Sequence, residues 1–277
     1  MRSRYIVSDL LREATEKITQ HSIERALREA QLLFMAFFEK DELWLISHQK
    51  DEIEVDESFF HWVERRCASE PFEYIVNRVS FYSEEFYIDE GALIPRPETE
   101  ILIDEIEKNI ADKTAKITFV EVGVGSGIIS IMLAKKFPNA MIIAVDISPK
   151  ALAVAHKNIE KFALQERIEL REGSLLEPIS ETIDYLVSNP PYIANDAPLA
   201  SNLSYEPQNA LFGGEVGDEI IQQLLDEVLK QKIRFFSCEM GYDQKSKIQN
   251  YLKDKEFSSL EFYKDYASFD RGFTLKV

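Results

Sequence analysis

The segment ITFVEVGVGSGIISIMLAKKF, residues 117–137, joins a short apolar run, a glycine-rich loop and a second apolar stretch. ITFVEVG predicts a buried strand, and GIISIMLAKKF predicts a helix that follows it directly. Gly123, Gly125 and Gly127 allow the backbone to turn tightly and to approach a ligand closely. Because open α/β sheets bind ligands at the carboxyl ends of their strands, this loop is a candidate ligand site.

The same alternation of strand and helix patterns continues from this segment to the end of the chain. Helical patterns such as SPKALAVAHKNIEKF and GDEIIQQLLDEVLKQK separate successive strand patterns. Such alternation predicts a mostly parallel sheet covered by helices on both faces. The last two strand patterns follow each other without a helix, so one of them is expected to be antiparallel. The predicted strands are ITFVEVG, AMIIAVD, RIELREG, IDYLVSN, RFFSCEM, SLEFYKDY and GFTLKV.

The N-terminal part has a different character. Residues 1–73 are expected to form a helical bundle without strands, and SIERALREAQLLFMAFFEK carries one apolar face with Ser22 as a candidate N-cap. Residues 74–90, rich in aromatic and β-branched side chains, predict a β-hairpin that links two domains. Residues 91–277 would then form the second domain.

Composition narrows the range of functions. The 277 residues carry a net charge of −17, and no basic footprint for duplex nucleic acid is visible. Solubility alone explains such a charge, and attraction of a cationic protein partner is the alternative. Two distant cysteines, four scattered histidines and no long apolar run predict a cytoplasmic, metal-free chain without a membrane span.

An acidic residue follows the glycine loop at an informative distance. Asp146 ends the next predicted strand, 19 residues after Gly127, where its carboxylate can accept hydrogen bonds from both hydroxyls of a ribose. A dinucleotide fingerprint would require glycine at position 128, which is Ile128. The spacing G-x-G-x-G after Glu121 instead resembles motif I of the class I methyltransferases that use S-adenosylmethionine. An ordinary βα turn, with Asp146 capping the next helix, is the competing interpretation.

The fourth predicted strand ends in Asn189, Pro190, Pro191 and Tyr192. This motif resembles that of methyltransferases that act on planar amino groups, whose nitrogen is a poor nucleophile. The Asn189 side-chain oxygen and the Pro190 carbonyl can each accept one N–H, and the prolines fix the direction of that carbonyl in advance. Tyr192 can pack on the flat face of the substrate. The competing interpretation is a proline corner that merely ends a strand.

Longer segments carry a more specific resemblance. LIPRPETE, NPPYI, YEPQNALFGGEVGDEII, EMGYDQ and KDYASFDRGFTLKV together resemble the HemK/PrmC family of protein-glutamine methyltransferases. The resemblance implies a Rossmann-like class I fold with a seven-stranded sheet, and a small N-terminal helical domain for substrate recognition. It further implies S-adenosylmethionine as methyl donor and, as substrate, the glutamine in the Gly-Gly-Gln motif of class I peptide-chain release factors.

The resemblance also assigns site residues. Asn189, Pro190, Pro191 and Tyr192 would hold the substrate amide, whereas Arg96, Pro97 and Thr99 of PRPETE would pack against the pocket without a catalytic step. Ser174 and Leu175 stand where the family often has an aspartate and an aromatic residue, and Asn77 stands where it usually has glycine. The cofactor would contact Glu121, Gly123, Val124, Gly125, Ser126, Gly127, Asp146, Ser174, Leu175 and Asn189.

Two other functions remain open at this point. One is an adenine-N6 methyltransferase of nucleic acid with the same Asn-Pro-Pro-Tyr motif, and the other is a non-catalytic module that binds S-adenosylmethionine. The protein-glutamine reading predicts a release factor as protein partner, no direct contact with nucleic acid or membrane, and a monomeric chain.

Overall fold

The structure, a computed structural model, describes residues 3–277 apart from the side chains of Ser201 and Asn202. Two compact units make up this chain. The first runs to Arg78 and includes Ala200–Tyr205, and the second contains Val79–Leu199 and Glu206–Val277. Among residues 3–277, no helix has the length and apolar character needed to span a membrane.

The first unit is mainly helical. An apolar core that includes Leu10, Phe34, Phe59 and Val63 is fully buried between its helices. Burying each side chain of this size stabilises a fold by about 1.5–3 kcal/mol. Its elements are β1 (Ser3–Ile6), α1 (Val7–Gln20), α2 (Ala26–Phe38), α3 (Glu42–Ser47), β2 (Glu52–Val55), α4 (Glu57–Cys67) and α5 (Phe72–Val76).

Two sequence-based expectations for this unit were wrong. β1 and β2 pair as an antiparallel two-stranded sheet where no strand was expected. Each has only four residues, which is too short for a reliable alternation pattern. The second helix begins at Ala26, because Ser22 and Arg25 adopt left-handed backbone conformations with φ of 59° and 55°. Ser22 is therefore not its N-cap.

The expected hairpin is shorter than residues 74–90. Helix α5 occupies Phe72–Val76, and the hairpin consists of β3 (Arg78–Phe81) and β4 (Glu84–Tyr87). Tyr82 and Ser83 connect the two strands with positive φ at both positions, as in the tight turns that match strand twist. Asn77 ends α5 with a left-handed φ of 52°, a conformation that asparagine tolerates better than most residues with a side chain.

A seven-stranded sheet forms the centre of the second unit, with strand order β12-β13-β11-β8-β5-β6-β7. Six strands run in the same direction, and β13, second from the edge, is antiparallel to both of its neighbours. This arrangement confirms the predicted class I fold and the expectation that one of the last two strands is antiparallel, which is β13. The strands are β5 (Thr118–Val122), β6 (Met141–Asp146), β7 (Ile168–Glu172), β8 (Tyr185–Ser188), β11 (Phe235–Glu239), β12 (Ser259–Lys264) and β13 (Asp270–Lys276).

Helices cover both faces of this sheet. Successive residues of one strand enter opposite cores: Phe119 packs with α6 to α8, and Val120 packs with α10 and α11. The continuous apolar runs of the strands thus follow from burial on both faces. The remaining elements are α6 (Thr99–Asn109), α7 (Ile128–Lys136), α8 (Pro149–Lys161), β9 (Ile193–Ala194), α9 (Gln208–Leu211), β10 (Phe212–Gly214), α10 (Glu219–Gln231) and α11 (Lys245–Leu252).

The strand order also locates a crevice. From β5 the chain continues outward through β6 and β7, then returns to place β8 on the other side of β5. The helices on either side of β5 therefore lie on opposite faces of the sheet. Such a switch point leaves a crevice at the carboxyl ends of the two strands, where ligands bind in this class of sheet.

Candidate active site

A cavity of about 290 Å³ lies in the second unit at the carboxyl ends of β5, β6 and β8. It brings together most of the residues that the sequence singled out. The predicted residues that line it are Arg96, Thr99, Glu121, Gly123, Val124, Gly125, Ser126, Asp146, Ser174, Leu175, Asn189, Pro190 and Pro191. Gly127, Tyr192 and Pro97 are not among its lining residues.

The glycine loop forms one wall of the cavity. The backbone N–H groups of Gly123 and Val124 both donate to the Val145 carbonyl, at 2.8 and 3.0 Å, which ties the loop to β6. Gly125 has a left-handed φ of 53°, and a Cβ added there would meet no atom within 4 Å. The open side of the loop therefore faces the cavity and leaves room for a ligand to approach the backbone.

Gly127 has a different structural environment from Gly125. It precedes α7 with a φ of 81°, and an added Cβ would lie 3.2 Å from the Cβ of Ala155 in α8. Its lack of a side chain therefore permits close packing of α7 against α8.

Asp146 lies at the end of β6 and is held by backbone groups. Its Oδ2 accepts from the Gly125 N–H and its Oδ1 from the Ser148 N–H, both at 2.9 Å. Burial raises the pKa of this carboxyl, and these hydrogen bonds oppose the rise. The N-cap of α8 is Ser148, whose hydroxyl accepts from the Ala151 N–H. Helix capping therefore does not explain why a carboxylate lies at position 146.

Glu121 is a fully buried carboxyl that lines the same cavity. Its Oε2 accepts a hydrogen bond from the Ser130 hydroxyl, whereas its Oε1 is buried without a hydrogen-bond partner among residues 3–277. Burial raises the pKa of Glu121 to about 8. A buried acceptor without a partner is costly, so this oxygen indicates a ligand that brings a donor or a positive charge.

Asn189 follows β8 directly and faces the cavity beside the glycine loop. The hydroxyl of Ser188 donates to the Val122 carbonyl at 2.7 Å and so joins the ends of β8 and β5. The Asn189 side-chain Nδ2 donates to the Thr99 hydroxyl oxygen at 3.2 Å. Because the nitrogen is used there, Oδ1 lies on the side of the amide directed away from Thr99.

Tyr192 does not line the cavity, and its partly buried side chain packs against the sheet core on the side of α10 and α11. Its hydroxyl lies 3.4 Å from Oε1 of the buried Glu239, and burial raises its pKa. The buried Gln244 fixes the backbone of this corner, since its Nε2 donates to the carbonyls of Tyr192 and Gly217, both at 3.0 Å. Neither Gln244 nor Glu239 was among the predicted site residues, although both belong to the EMGYDQ segment.

The PRPETE segment is anchored by the buried acid Glu206, which was not among the predicted site residues. Glu206 accepts from the backbone N–H of Ile94 at 3.0 Å and from the guanidinium of Arg96 at 2.5 Å. Arg96 also donates to the Ile94 carbonyl at 2.7 Å. These bonds join two segments of the cavity wall that are more than a hundred residues apart in sequence.

The residues of the cavity fit S-adenosylmethionine. The Glu121 oxygen without a partner suits the ammonium of its amino-acid part, and the Asp146 oxygens suit ribose hydroxyls. The open glycine loop allows the backbone to approach the ligand. Together, the doubly covered sheet, this loop, the two acids and the Asn-Pro-Pro-Tyr corner define a class I methyltransferase.

Comparison with known proteins identifies the family within that class. The "Methyltransferase small domain" model matches residues 95–214, and the "PrmC N-terminal domain" model matches residues 9–76. A release factor glutamine methyltransferase of Clostridium acetobutylicum is 33% identical, with 96% of each chain covered. One from Dictyoglomus turgidum is 37% identical, covering 92% of this chain and 93% of the relative. The chain belongs to the release factor glutamine methyltransferase family.

Solved structures share the fold at lower identity. The hMettl16 catalytic domain in complex with the MAT2A 3'UTR hairpin 6 has a TM-score of 0.59 at 16% identity, covering 69% of this chain and 74% of that one. The N-terminal domain of human METTL16 in complex with SAH has a TM-score of 0.51 at 17% identity, covering 69% and 75%. At these identities the similarity concerns the fold alone.

Proposed function

We propose that this chain transfers a methyl group from S-adenosylmethionine to the side-chain amide nitrogen of the glutamine in the Gly-Gly-Gln motif of class I release factors. The observation that carries the proposal is the orientation of Asn189, whose nitrogen is bonded to Thr99 while the residue lines the cavity. The names of relatives that match along nearly the whole chain support the same substrate.

The two acceptors of the Asn-Pro-Pro-Tyr corner compensate for the fact that an amide nitrogen is a poor nucleophile. Its nitrogen shares a lone pair with the carbonyl, and no side chain in the cavity is basic enough to deprotonate it. Asn189 Oδ1 and the Pro190 carbonyl each accept one N–H, which turns the nitrogen lone pair toward the reaction partner. Since Pro190 and Pro191 fix the backbone, little reorganisation is needed during reaction.

The cofactor residues act by binding and orientation. When bound, S-adenosylmethionine supplies an electrophilic methyl group on its sulfonium. Asp146 would accept hydrogen bonds from the ribose hydroxyls, and Glu121 would pair with the ammonium. Ser174 and Leu175 line the cavity at the positions where the family often has an aspartate and an aromatic residue. They would lie beside the edge of the adenine ring. Gly123, Val124, Gly125 and Ser126 bring the backbone close to the ligand.

Two predicted residues act indirectly in this proposal. Gly127 allows α7 to pack closely against α8 and so supports the loop. Tyr192 holds the corner from the core side through Glu239. The flat-face contact between Tyr192 and substrate that the sequence predicts stays a prediction, since Tyr192 is not among the lining residues of the cavity.

The first unit is proposed to recognise the release factor. The chain as a whole is proposed to be a monomeric cytoplasmic enzyme that makes no direct contact with nucleic acid. In support of recognition, the first unit exposes the apolar side chains of Leu27, Leu43 and Ile46, which are 54%, 75% and 66% exposed. The strongly acidic composition also disfavours adenine methylation in nucleic acid, because the phosphate backbone would be repelled.

The test is methylation of purified class I release factors with labelled S-adenosylmethionine, followed by mass spectrometry of the Gly-Gly-Gln peptide. We expect one methyl group on the glutamine, and none on a control release factor with glutamate at that position. Label found only on nucleic acid, or no label on either release factor, would contradict the proposal.

A further inference from the structure

A chain of polar side chains leads from the cavity into the core of the second unit. Asn189 Nδ2 donates to Thr99 Oγ1 at 3.2 Å, and Thr99 Oγ1 donates to Glu239 Oε2 at 2.7 Å. The hydroxyl of Tyr192 approaches the other oxygen of Glu239 at 3.4 Å. Thr99 and Glu239 are 2% and 1% exposed, so bulk water has little access to the bond between them.

The direction of these hydrogen bonds is set by donor count. A hydroxyl has one proton to donate, and an ionised carboxylate can only accept. When Glu239 is ionised, the Thr99 hydroxyl therefore donates its hydrogen bond to Glu239 and presents a lone pair to Asn189. Only the NH₂ side of the Asn189 amide can satisfy that lone pair, so the amide oxygen is turned the opposite way.

Local secondary structure explains neither the hydrogen bond of the Thr99 hydroxyl nor the burial of the Glu239 carboxyl. Thr99 is the first residue of α6, yet no side chain caps the N-terminus of this helix. The Thr99 hydroxyl instead donates to Glu239, which lies 140 residues further along the chain. Glu239 forms no ion pair within residues 3–277, and the nearby Arg271 is bonded to Asp265 at 2.9 Å. Burying a carboxyl without an ion pair costs stability, which favours a role beyond folding.

We propose that Thr99 and Glu239 are positioning residues that hold the Asn189 amide with its oxygen toward the substrate amide. The inference rests on the proposed function, since it assigns Asn189 as an acceptor for the substrate. If the amide were flipped, its NH₂ would face the N–H groups of the substrate, and two donors would meet.

The protonation state of Glu239 adds a pH dependence. Burial raises its pKa to about 7, opposed by the Thr99 hydrogen bond, the charge of Arg271 and the Tyr192 hydroxyl, whereas the charge of Glu98 raises it. Tyr263, which packs against the same strand, stays neutral because burial raises its pKa well above the ordinary value. Protonated Glu239 can donate to Thr99, which frees the hydroxyl proton for Asn189 Oδ1. The methylation rate at saturating substrates is therefore expected to rise as pH increases through about 7.

The test compares Thr99→Val, which keeps the shape and removes the hydroxyl, with Thr99→Ser, which keeps the hydroxyl. Thr274→Val is the matched control, because Thr274 is a buried threonine in β13 that does not line the cavity. We expect Thr99→Val to lower kcat about 10- to 100-fold, as loss of a supporting hydrogen bond does at other sites. KM for the release factor and Kd for S-adenosylmethionine should change little. Thr99→Ser should regain most of the rate, and Thr274→Val should keep it.

A second readout does not depend on activity. The Asn189 side-chain NH₂ signals, identified by their absence in Asn189→Ala, should lose protection from hydrogen exchange in Thr99→Val and regain it in Thr99→Ser. Glu239→Gln should lower kcat and remove the rise in rate near pH 7. Unchanged kcat and exchange in Thr99→Val, or equal losses in both Thr99 variants, would overturn the inference. If the unmodified chain failed to methylate release factors while exchange behaved as expected, only the proposed function would fail.

Discussion

The proposed chemistry depends on a single side-chain oxygen atom, Oδ1 of Asn189, which accepts one N–H of the substrate amide. We expect Asn189→Ala to lower kcat at least about 100-fold, since removing one preorganised group from a reacting centre commonly has an effect of this size. Binding of S-adenosylmethionine should weaken much less, because the glycine loop, Glu121 and Asp146 remain. Single-turnover kinetics and titration calorimetry separate the two effects.

A nearby asparagine provides the control for that substitution. Asn195 is exposed and does not line the cavity, and its contact with the Gly214 carbonyl uses only its backbone N–H. Asn195→Ala should therefore keep the full rate. A rate within a few-fold of the unmodified enzyme in Asn189→Ala would contradict the acceptor role.

The raised pKa of Glu121 predicts how the stability of the fold depends on pH. This pKa is about 8 in the folded chain, above the ordinary value of 4.5, because burial disfavours the charged form. Between these values the folded state keeps a proton that the unfolded state releases, so the free energy of unfolding falls as pH rises through this window. Glu121→Gln cannot ionise, and its advantage in melting temperature over the unmodified protein should grow from about pH 5 to pH 9.

The measurement is thermal unfolding of the cofactor-free proteins across that pH range, with S-adenosylmethionine affinity measured in parallel. Glu121→Gln should bind the cofactor more weakly, since it loses the negative charge proposed to face the ammonium. Melting curves of the two proteins that shift in parallel with pH would contradict the raised pKa. Equal cofactor affinities would contradict the ligand assignment of its buried oxygen.

At the scale of secondary-structure elements, Gly125 and Gly127 of the βα turn have different structural environments. Both have positive φ, so alanine costs about 1–2 kcal/mol of backbone strain at either position. Gly127→Ala should cost about 1–3 kcal/mol more, because its Cβ would press on Ala155 and separate α7 from α8. Gly125→Ala meets no atom within 4 Å and should chiefly weaken cofactor binding. Urea denaturation and calorimetry distinguish these outcomes, and equal losses of stability would contradict the packing argument.

The same element illustrates what the sequence could predict. β5, the glycine loop and α7 are contiguous, and Asp146 follows in the next strand, so periodicity and spacing suffice to place them. The contact between Thr99 and Glu239 joins residues 140 positions apart, and that between Ile94 and Glu206 joins residues 112 apart. No local pattern encodes such pairs, because they arise only when the sheet brings distant segments together. The four-residue strands β1 and β2 were missed for the opposite reason, since they are too short to carry a pattern.

At the scale of the whole molecule, charge is the property that no single element explains. The chain carries −17, and both its first 75 residues and the remainder are acidic. Many acids are used locally, as in the pairs of Arg66 with Glu29 and of Arg171 with Glu181. The excess that remains creates a long-range field, which acts on the approach of a partner rather than on the fold.

That field predicts a specific salt dependence if the partner is a basic release factor. Electrostatic attraction acts on encounter and is screened within about 10 Å at 0.1 M salt. Raising the salt concentration should therefore increase KM for the release factor, while kcat at saturating release factor and the melting temperature stay nearly constant. Steady-state kinetics across a salt series measures both parameters on the same enzyme. A KM that does not respond to salt would show that the acidic surface serves solubility alone, and a fall in kcat with constant KM would instead place the effect of salt inside the cavity.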